Sequence, residues 1–178
     1  MFITCVALAI SVQGAPATTS AADEYRVKAA VVYNIARFVD WPSAAFAEAG
    51  SPLVVCVVGV DPFGSALDDA LQGRTVKGRP VEIRRSHDLG VGCHVVFIAF
   101  SEHKRVEDII YRLGSTAALS ISEVDRFTHR GGIIGLRMDG SYVRFDINAT
   151  AADRANLTMS ARLLALASSV RVAGGAGR

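Results

Sequence analysis

The chain carries no Gly-x-Ser-x-Gly and no His-Glu-x-x-His, so two readily recognised hydrolase signatures are missing. Its four histidines, His87, His94, His103 and His129, stand at no metal-ligand spacing. Its three cysteines form no Cys-x-x-Cys. Gly59-Val60-Asp61-Pro62-Phe63-Gly64 is only a loose relative of the dinucleotide fingerprint Gly-x-Gly-x-x-Gly. No apolar run reaches the roughly 20 residues that span a bilayer. A basic stripe is also lacking: 19 Lys and Arg against 17 Asp and Glu leave a net charge of +2, with the two signs interspersed. That balance argues against a nucleic-acid partner. The densest basic stretch, residues 74–79 with Arg84-Arg85 behind it, is diluted by Glu82 and Asp88. It reads as a solvated edge, or alternatively as an anion or partner patch. No cofactor is implied, and the chain is not expected to be an enzyme. Asp125, His129 and Asp146 are the only acid/base side chains worth naming, and isolated groups of this kind are usually solvated.

What is present begins with an export signal. Residues 2–12 are apolar over a length suited to a signal peptide, and small residues follow at Gly14, Ala15, Ala17, Ala21 and Ala22. No Lys or Arg stands ahead of the apolar run, the one feature of such a signal that is missing. Residues 1–22 are therefore read as a leader cleaved between Ala15 and Ala22. A single domain follows over 23–172, and 173–178 form a flexible tail. The expected location is the periplasm. Cys5 does not sit in a lipobox.

The mature chain alternates between helix and strand. Val27, Val31, Ile35 and Phe38 fall on one face of a helix predicted over 24–40, which Pro42 ends. Residues 53–59 are apolar throughout, as in a strand buried on both faces. Asp61, Phe63 and Gly64 shape a turn at the carboxyl end of that strand, where an α/β domain would hold a small ligand. A helix over 65–71, ended by Gly73, leads to a strand over 80–84, and another strand follows at 95–100. Ser101 is read as the cap of a helix over 102–113 that Gly114 stops. A strand over 117–121 precedes a hairpin of 133–136 and 142–147, turned at Asp139-Gly140. Ser160 caps a final helix with Leu163, Leu164, Ala167 and Val170 facing inward. The predicted fold is α/β: a mostly parallel central sheet flanked by helices on both faces, with an antiparallel edge hairpin near the C-terminus.

Cys56 lies within the first predicted strand and Cys93 just before the third. In an oxidising compartment a disulfide between them is expected, provided their strands are neighbours. Two buried free thiols are the alternative. Trp41, the only tryptophan, plugs the end of the core or faces a partner.

Five segments, in order, carry a family resemblance: residues 28–42, 59–64, Cys93-His94-Val95-Val96-Phe97-Ile98-Ala99, Gly131-Gly132-Ile133-Ile134 and Val143-Arg144-Phe145-Asp146-Ile147-Asn148. The set resembles the YfiR family, periplasmic proteins of Gram-negative bacteria that also occur as input modules on membrane signalling proteins. The resemblance covers roughly residues 25–172. It implies an α/β fold and a repressor that binds the periplasmic sensory domain of an inner-membrane diguanylate cyclase, lowering cyclic di-GMP and biofilm formation. It also implies a homodimer. Cys56 and Cys93 match the family's fold-stabilising pair. A second pair known in the family has no counterpart, because no cysteine follows Cys93. For a docking protein, Trp41 and Arg162 are the candidate partner-binding residues. A module that binds an unidentified small ligand is the alternative function.

Overall fold

The computed structural model describes residues 20–114 and 116–172. Most of the expected leader, up to Thr19, and the expected tail lie outside the described residues.

Helix α1 (Ala21–Arg37) starts earlier than the periodicity predicts. Ser20 takes the cap, its Oγ accepting from the Asp23 N–H at 3.1 Å, with Asp23 and Glu24 in the favourable first turn. The helix also ends sooner. β1 (Val39–Asp40) leaves it to pair antiparallel with β9 (Thr158–Met159), so long-range strand bonds replace the last predicted turn. The inward face is Ala29, Val32, Tyr33, Ile35 and Ala36, together with Lys28. Val27 is 41% exposed, and Val31 and Phe38 are only half-buried. Of the predicted stripe Ile35 is buried as expected, and the inward face is turned from Val27 and Val31 toward Ala29, Val32, Tyr33 and Ala36.

The sheet is built from β2 (Leu53–Val58), β3 (Thr75–Val76), β4 (Arg79–Ser86), β5 (Val95–Ile98), β6 (Leu119–Ser122), β7 (Ile134–Asp139), β8 (Tyr142–Asn148) and β10 (Ser169–Arg171). Their order is β10-β8-β7-β6-β5-β2-β4-β3. Strands β4, β2, β5, β6 and β7 run parallel, and β7–β8 is the antiparallel hairpin expected near the C-terminus. Its turn is Gly140-Ser141, one residue later than the Asp-Gly signal implied. The short β10 then adds parallel to β8.

Every residue of β2 is buried, as its unbroken apolar run requires. Leu53, Val55 and Val57 enter one core with α1 and α2 (Ser65–Leu71). Val54, Cys56 and Val58 enter another with α3 (Val106–Leu113). Helices therefore cover both faces. Cys56 and Cys93 are bonded, with Cα atoms 5.8 Å apart, because β2 and β5 are neighbours.

Two expectations near helix ends need correction. Ser101 does not cap α3, which begins only at Val106 after a 3-10 turn, Phe100–Glu102. Its Oγ instead accepts from the Val60 N–H at 3.0 Å, across to the loop after β2. In the C-terminal part, α4 (Ala149–Arg154) precedes α5 (Ala161–Leu166), which Ser160 caps as predicted. Of the four residues expected inside, Leu163 is buried, Leu164 and Ala167 are half-buried, and Val170 lies 38% exposed in β10. The helix is short because the chain must turn back to β8, where the Ser168 N–H reaches the Phe145 carbonyl at 2.8 Å.

Gly132 is fixed by packing. A Cβ there would lie 2.1 Å from Cε1 of the fully buried Phe127 ring. Gly132→Ala is expected to destabilise the domain by about 1–3 kcal/mol through forced repacking, read as a lower urea midpoint at unchanged slope.

Candidate functional site

β4 follows β2 on one side and β5 lies on the other, so the carboxyl ends of β2 and β5 form the place where an open α/β sheet would bind a ligand. Here that crevice is occupied by protein. Gly59, at φ +98°, passes so close to the next loop that a Cβ would meet Ser101 Oγ at 2.5 Å and Glu102 Cγ at 2.8 Å. The adjoining turn is also tied inward. Asp61 Oδ1 accepts from the Phe63 N–H at 2.8 Å, and its Oδ2 accepts from Arg85 Nε at 2.6 Å. Arg85 Nη2 donates to the Gly64 carbonyl at 3.1 Å and to Asp68 of α2. The Phe63 ring is buried edge-on against Tyr25 and Phe97. Asp61 and Gly64 are therefore clasped by Arg85, and Phe63 is held by Asp61 and the two rings.

The other cations of the basic stretch are engaged too. Lys77 pairs with Asp40 at 2.8 Å, Arg84 with Glu82 at 2.8 Å, and Arg79 lies 3.6 Å over the Phe46 ring.

Asp125, His129 and Asp146 line one hollow of about 280 Å³, with Glu123, Arg137 and Ser169. Asp125 and His129 are exposed, and Asp146 accepts from Ser169 Oγ at 2.6 Å. Among the described residues no hydrogen bond joins any two of the three. A buried polar network that the sequence reading missed lies at its rim. Lys28, only 3% exposed, donates to Glu24 and Glu123, and the Tyr25 hydroxyl donates to Glu123 at 2.6 Å. Burial, reinforced by the Glu123 carboxylate, pushes the Tyr25 phenol well above its ordinary pKa. Among the described residues no group of three His, Cys, Asp or Glu could hold a metal ion.

At the opposite strand ends, Trp41 is half-buried and its Nε1 donates to the His94 carbonyl at 3.1 Å. His94 is buried beneath it, stacked on Phe46 at 4.3 Å. Its Nδ1 accepts from the Val54 N–H at 3.0 Å, so Nε2 carries the proton and donates to the Ala45 carbonyl at 3.0 Å. Burial lowers the His94 pKa, and Arg79 and Arg84 add to the effect. The unfolded chain thus binds this proton more readily than the folded one. Stability is full above about pH 6.5 and falls as the pH drops through that value toward the folded-state pKa. In His94→Asn, which keeps an acceptor for Val54, this decline should disappear from melting curves recorded between about pH 7 and pH 5. An unchanged decline would contradict the assignment.

Arg162 is exposed on α5. Its guanidinium lies 5.5 Å over the Phe38 ring and has no carboxylate partner among the described residues. Phe38 is joined to this segment by the Ser160 N–H, which donates to its carbonyl at 2.9 Å. The β1–β9 pair therefore brings the segments bearing Trp41 and Arg162 together. Leu166 at 61% and Val172 at 71% exposure add apolar surface beyond Arg162. The sequence reading did not single out Leu166. Its offset of three from the buried Leu163 resembles an inward position, and only the helix ending there turns it to solvent.

The family described as YfiR/HmsC-like matches residues 25–168. A solved structure of a conserved domain protein from Vibrio cholerae O1 biovar El Tor strain N16961 aligns at 14% identity, with a TM-score of 0.48. The alignment covers 66% of this chain and 54% of that one, so the chain spans about half the length of that protein.

Proposed function

This chain belongs to the YfiR/HmsC-like family of periplasmic regulatory domains, and we propose that it represses an inner-membrane diguanylate cyclase by docking on that enzyme's periplasmic sensory domain. The family match, running from α1 through α5, carries the reading. The closed crevice at Gly59 and the Arg85 clasp support it, since they favour surface contact over a ligand cradle. In this reading the domain works in the periplasm as a homodimer, without a cofactor, without nucleic acid and without turnover of its own. Repression requires tighter binding to the inactive sensor than to the active one, because only differential affinity shifts an equilibrium. The docking surface has Phe38 and Leu166 at its centre, with Arg162 over the Phe38 ring and Trp41 at its margin. A central apolar area with a polar rim fits such an interface.

The test is binding of the purified protein to the isolated sensory domain of a cyclase from the same cell. Arg162→Glu should weaken binding by about tenfold or more at an unchanged unfolding midpoint. Trp41→Phe keeps an aromatic ring at the margin but, like Trp41→Ala, loses the Nε1 hydrogen bond to the His94 carbonyl, so its unfolding midpoint is measured beside its affinity. Equal affinity for wild type and Arg162→Glu would remove this surface from the account.

Export leads to one further expectation. Because Ser20 caps α1, the leader should be cut before it, inside the window that opens at Ala15. The mass of the periplasmic protein will show a chain that retains Ser20. Intact Met1 in the cytoplasmic fraction would contradict export.

The alternative, a small-ligand module, is favoured by one observation: a hollow of about 430 Å³ beside the disulfide, lined by Val91, Cys93, His94, Arg112 and Thr116 among others.

A further inference from the structure

We propose that the open edge of β4 is a dimer interface, on which a second copy of this chain lays its own β4 antiparallel, with Ile83 on the twofold axis. The inference deepens the homodimer reading above by assigning the surface and the register.

β3 pairs only with Arg79 and Pro80, so residues 81–86 have no strand on their outer side. The Ser86 carbonyl accepts from Gly59 N–H, toward β2. Backbone groups alternate along a strand, so those of Glu82 and Arg84 also face β2, and those of Ile83 and Arg85 face outward. Exposed rows of this kind are templates for another strand.

The side chains select the occupant. An antiparallel pairing centred on Ile83 places Glu82 opposite the other copy's Arg84, and Arg84 opposite its Glu82. Both are half-exposed, at 45% and 47%, and within one chain they already pair with each other at 2.8 Å. In this register Ile83 meets Ile83 as a hydrogen-bonded pair, and the charged pairs occupy the closer, non-hydrogen-bonded positions. Shifting the centre to Arg84 sets Arg84 against itself, and shifting it to Glu82 sets Glu82 against itself. The β3 hairpin limits the pairing in the same way. It blocks the edge at Pro80, so a pairing centred on Ile83 can run over residues 81–85, whereas one centred on Glu82 is cut to 81–83. Val81 and Ile83 are half-buried and, with Leu71, line a hollow of about 490 Å³ between α2 and the edge. The second copy's Ile83 fits over that apolar floor. The opposite rim is poorer, because its edge strand β10 is only three residues long. β10 covers β8 from Asp146 onward, and the open residues 142–144 carry charge of one sign only.

Sedimentation of the full-length, exported protein over a wide concentration series tests the pairing. Wild type should show a monomer–dimer equilibrium. Glu82→Arg and Arg84→Glu should each weaken it about tenfold, since each creates two like-charge crossings per dimer. The double variant, Glu82→Arg with Arg84→Glu, should regain wild-type affinity. Both sites are exposed, so unchanged melting curves will separate lost pairing from lost folding. A dimer indifferent to all three variants removes β4 as the interface and leaves the homodimer reading intact. A monomer at every concentration overturns the pairing, while repression remains to be judged by cyclic di-GMP. A monomer whose Ile83 and Arg85 amides gain hydrogen-exchange protection only with the sensory domain assigns the edge to that partner, and overturns the self-pairing.

Discussion

Lys28→Ala is expected to cost the domain about 3–5 kcal/mol, the range for removing one partner of a buried ion pair. The Lys28 side chain is 4% exposed and that of Glu123 11%. Without the ammonium, the Glu123 carboxylate keeps only the Tyr25 hydroxyl among the donors found here. Glu24, at 30% exposure, sits closer to water and contributes less. The loss falls on the joint between α1 and the loop after β6, and therefore on the whole first core. Against a usual total of about 5–15 kcal/mol, it is a large fraction. Urea unfolding will measure it. The control is Lys28→Met with Glu123→Gln, which removes both charges and should recover most of the loss. A Lys28→Ala variant within about 1 kcal/mol of wild type would show that the pair is not holding the helix.

Replacing Cys56 or Cys93 by Ala is the other large change, at about 2–4 kcal/mol. The bond joins residues 37 apart. Loop entropy for that span gives about 4 kcal/mol as an upper value, from which native-state strain subtracts. The variants should unfold at lower urea concentration and accumulate poorly in the periplasm. Thiol labelling of denatured, unreduced protein checks the bond itself. The mature wild-type chain should label at neither cysteine, and two labels would refute the pairing.

Much of this architecture was legible in the sequence where one physical signal dominates. Residues 53–58 are apolar without alternation, and a strand buried on both faces is what that pattern requires. Ser160 announced its helix because an N-cap is a local hydrogen bond. The errors arose where a distant partner overrides a local preference. Ser101 has the chemistry of a cap, but Val60 claims its hydroxyl from the loop after β2. Val39 and Asp40 continue the helical pattern, but Met159 and Thr158 draw them into a ladder. Lys28 was invisible because a lysine on an apolar face is ordinarily read as solvent-facing, and its partner Glu123 lies 95 residues away. The candidate sites divide in the same way. The turn at Asp61, Phe63 and Gly64 could be placed at a strand end from sequence, but its closure depends on Arg85 of β4, which only the parallel register with β2 delivers. Asp125, His129 and Asp146 do share a hollow, though no local pattern places Asp146 across from the other two.

Repression is read most directly in cellular cyclic di-GMP. The gene is deleted in a cell that expresses a diguanylate cyclase with a periplasmic sensory domain. Wild type and Arg162→Glu are then returned separately at equal periplasmic levels. Cyclic di-GMP should rise on deletion, return to its original level with wild type, and stay high with the folded Arg162→Glu variant. An unchanged level on deletion, with that cyclase present and active, would contradict the claim.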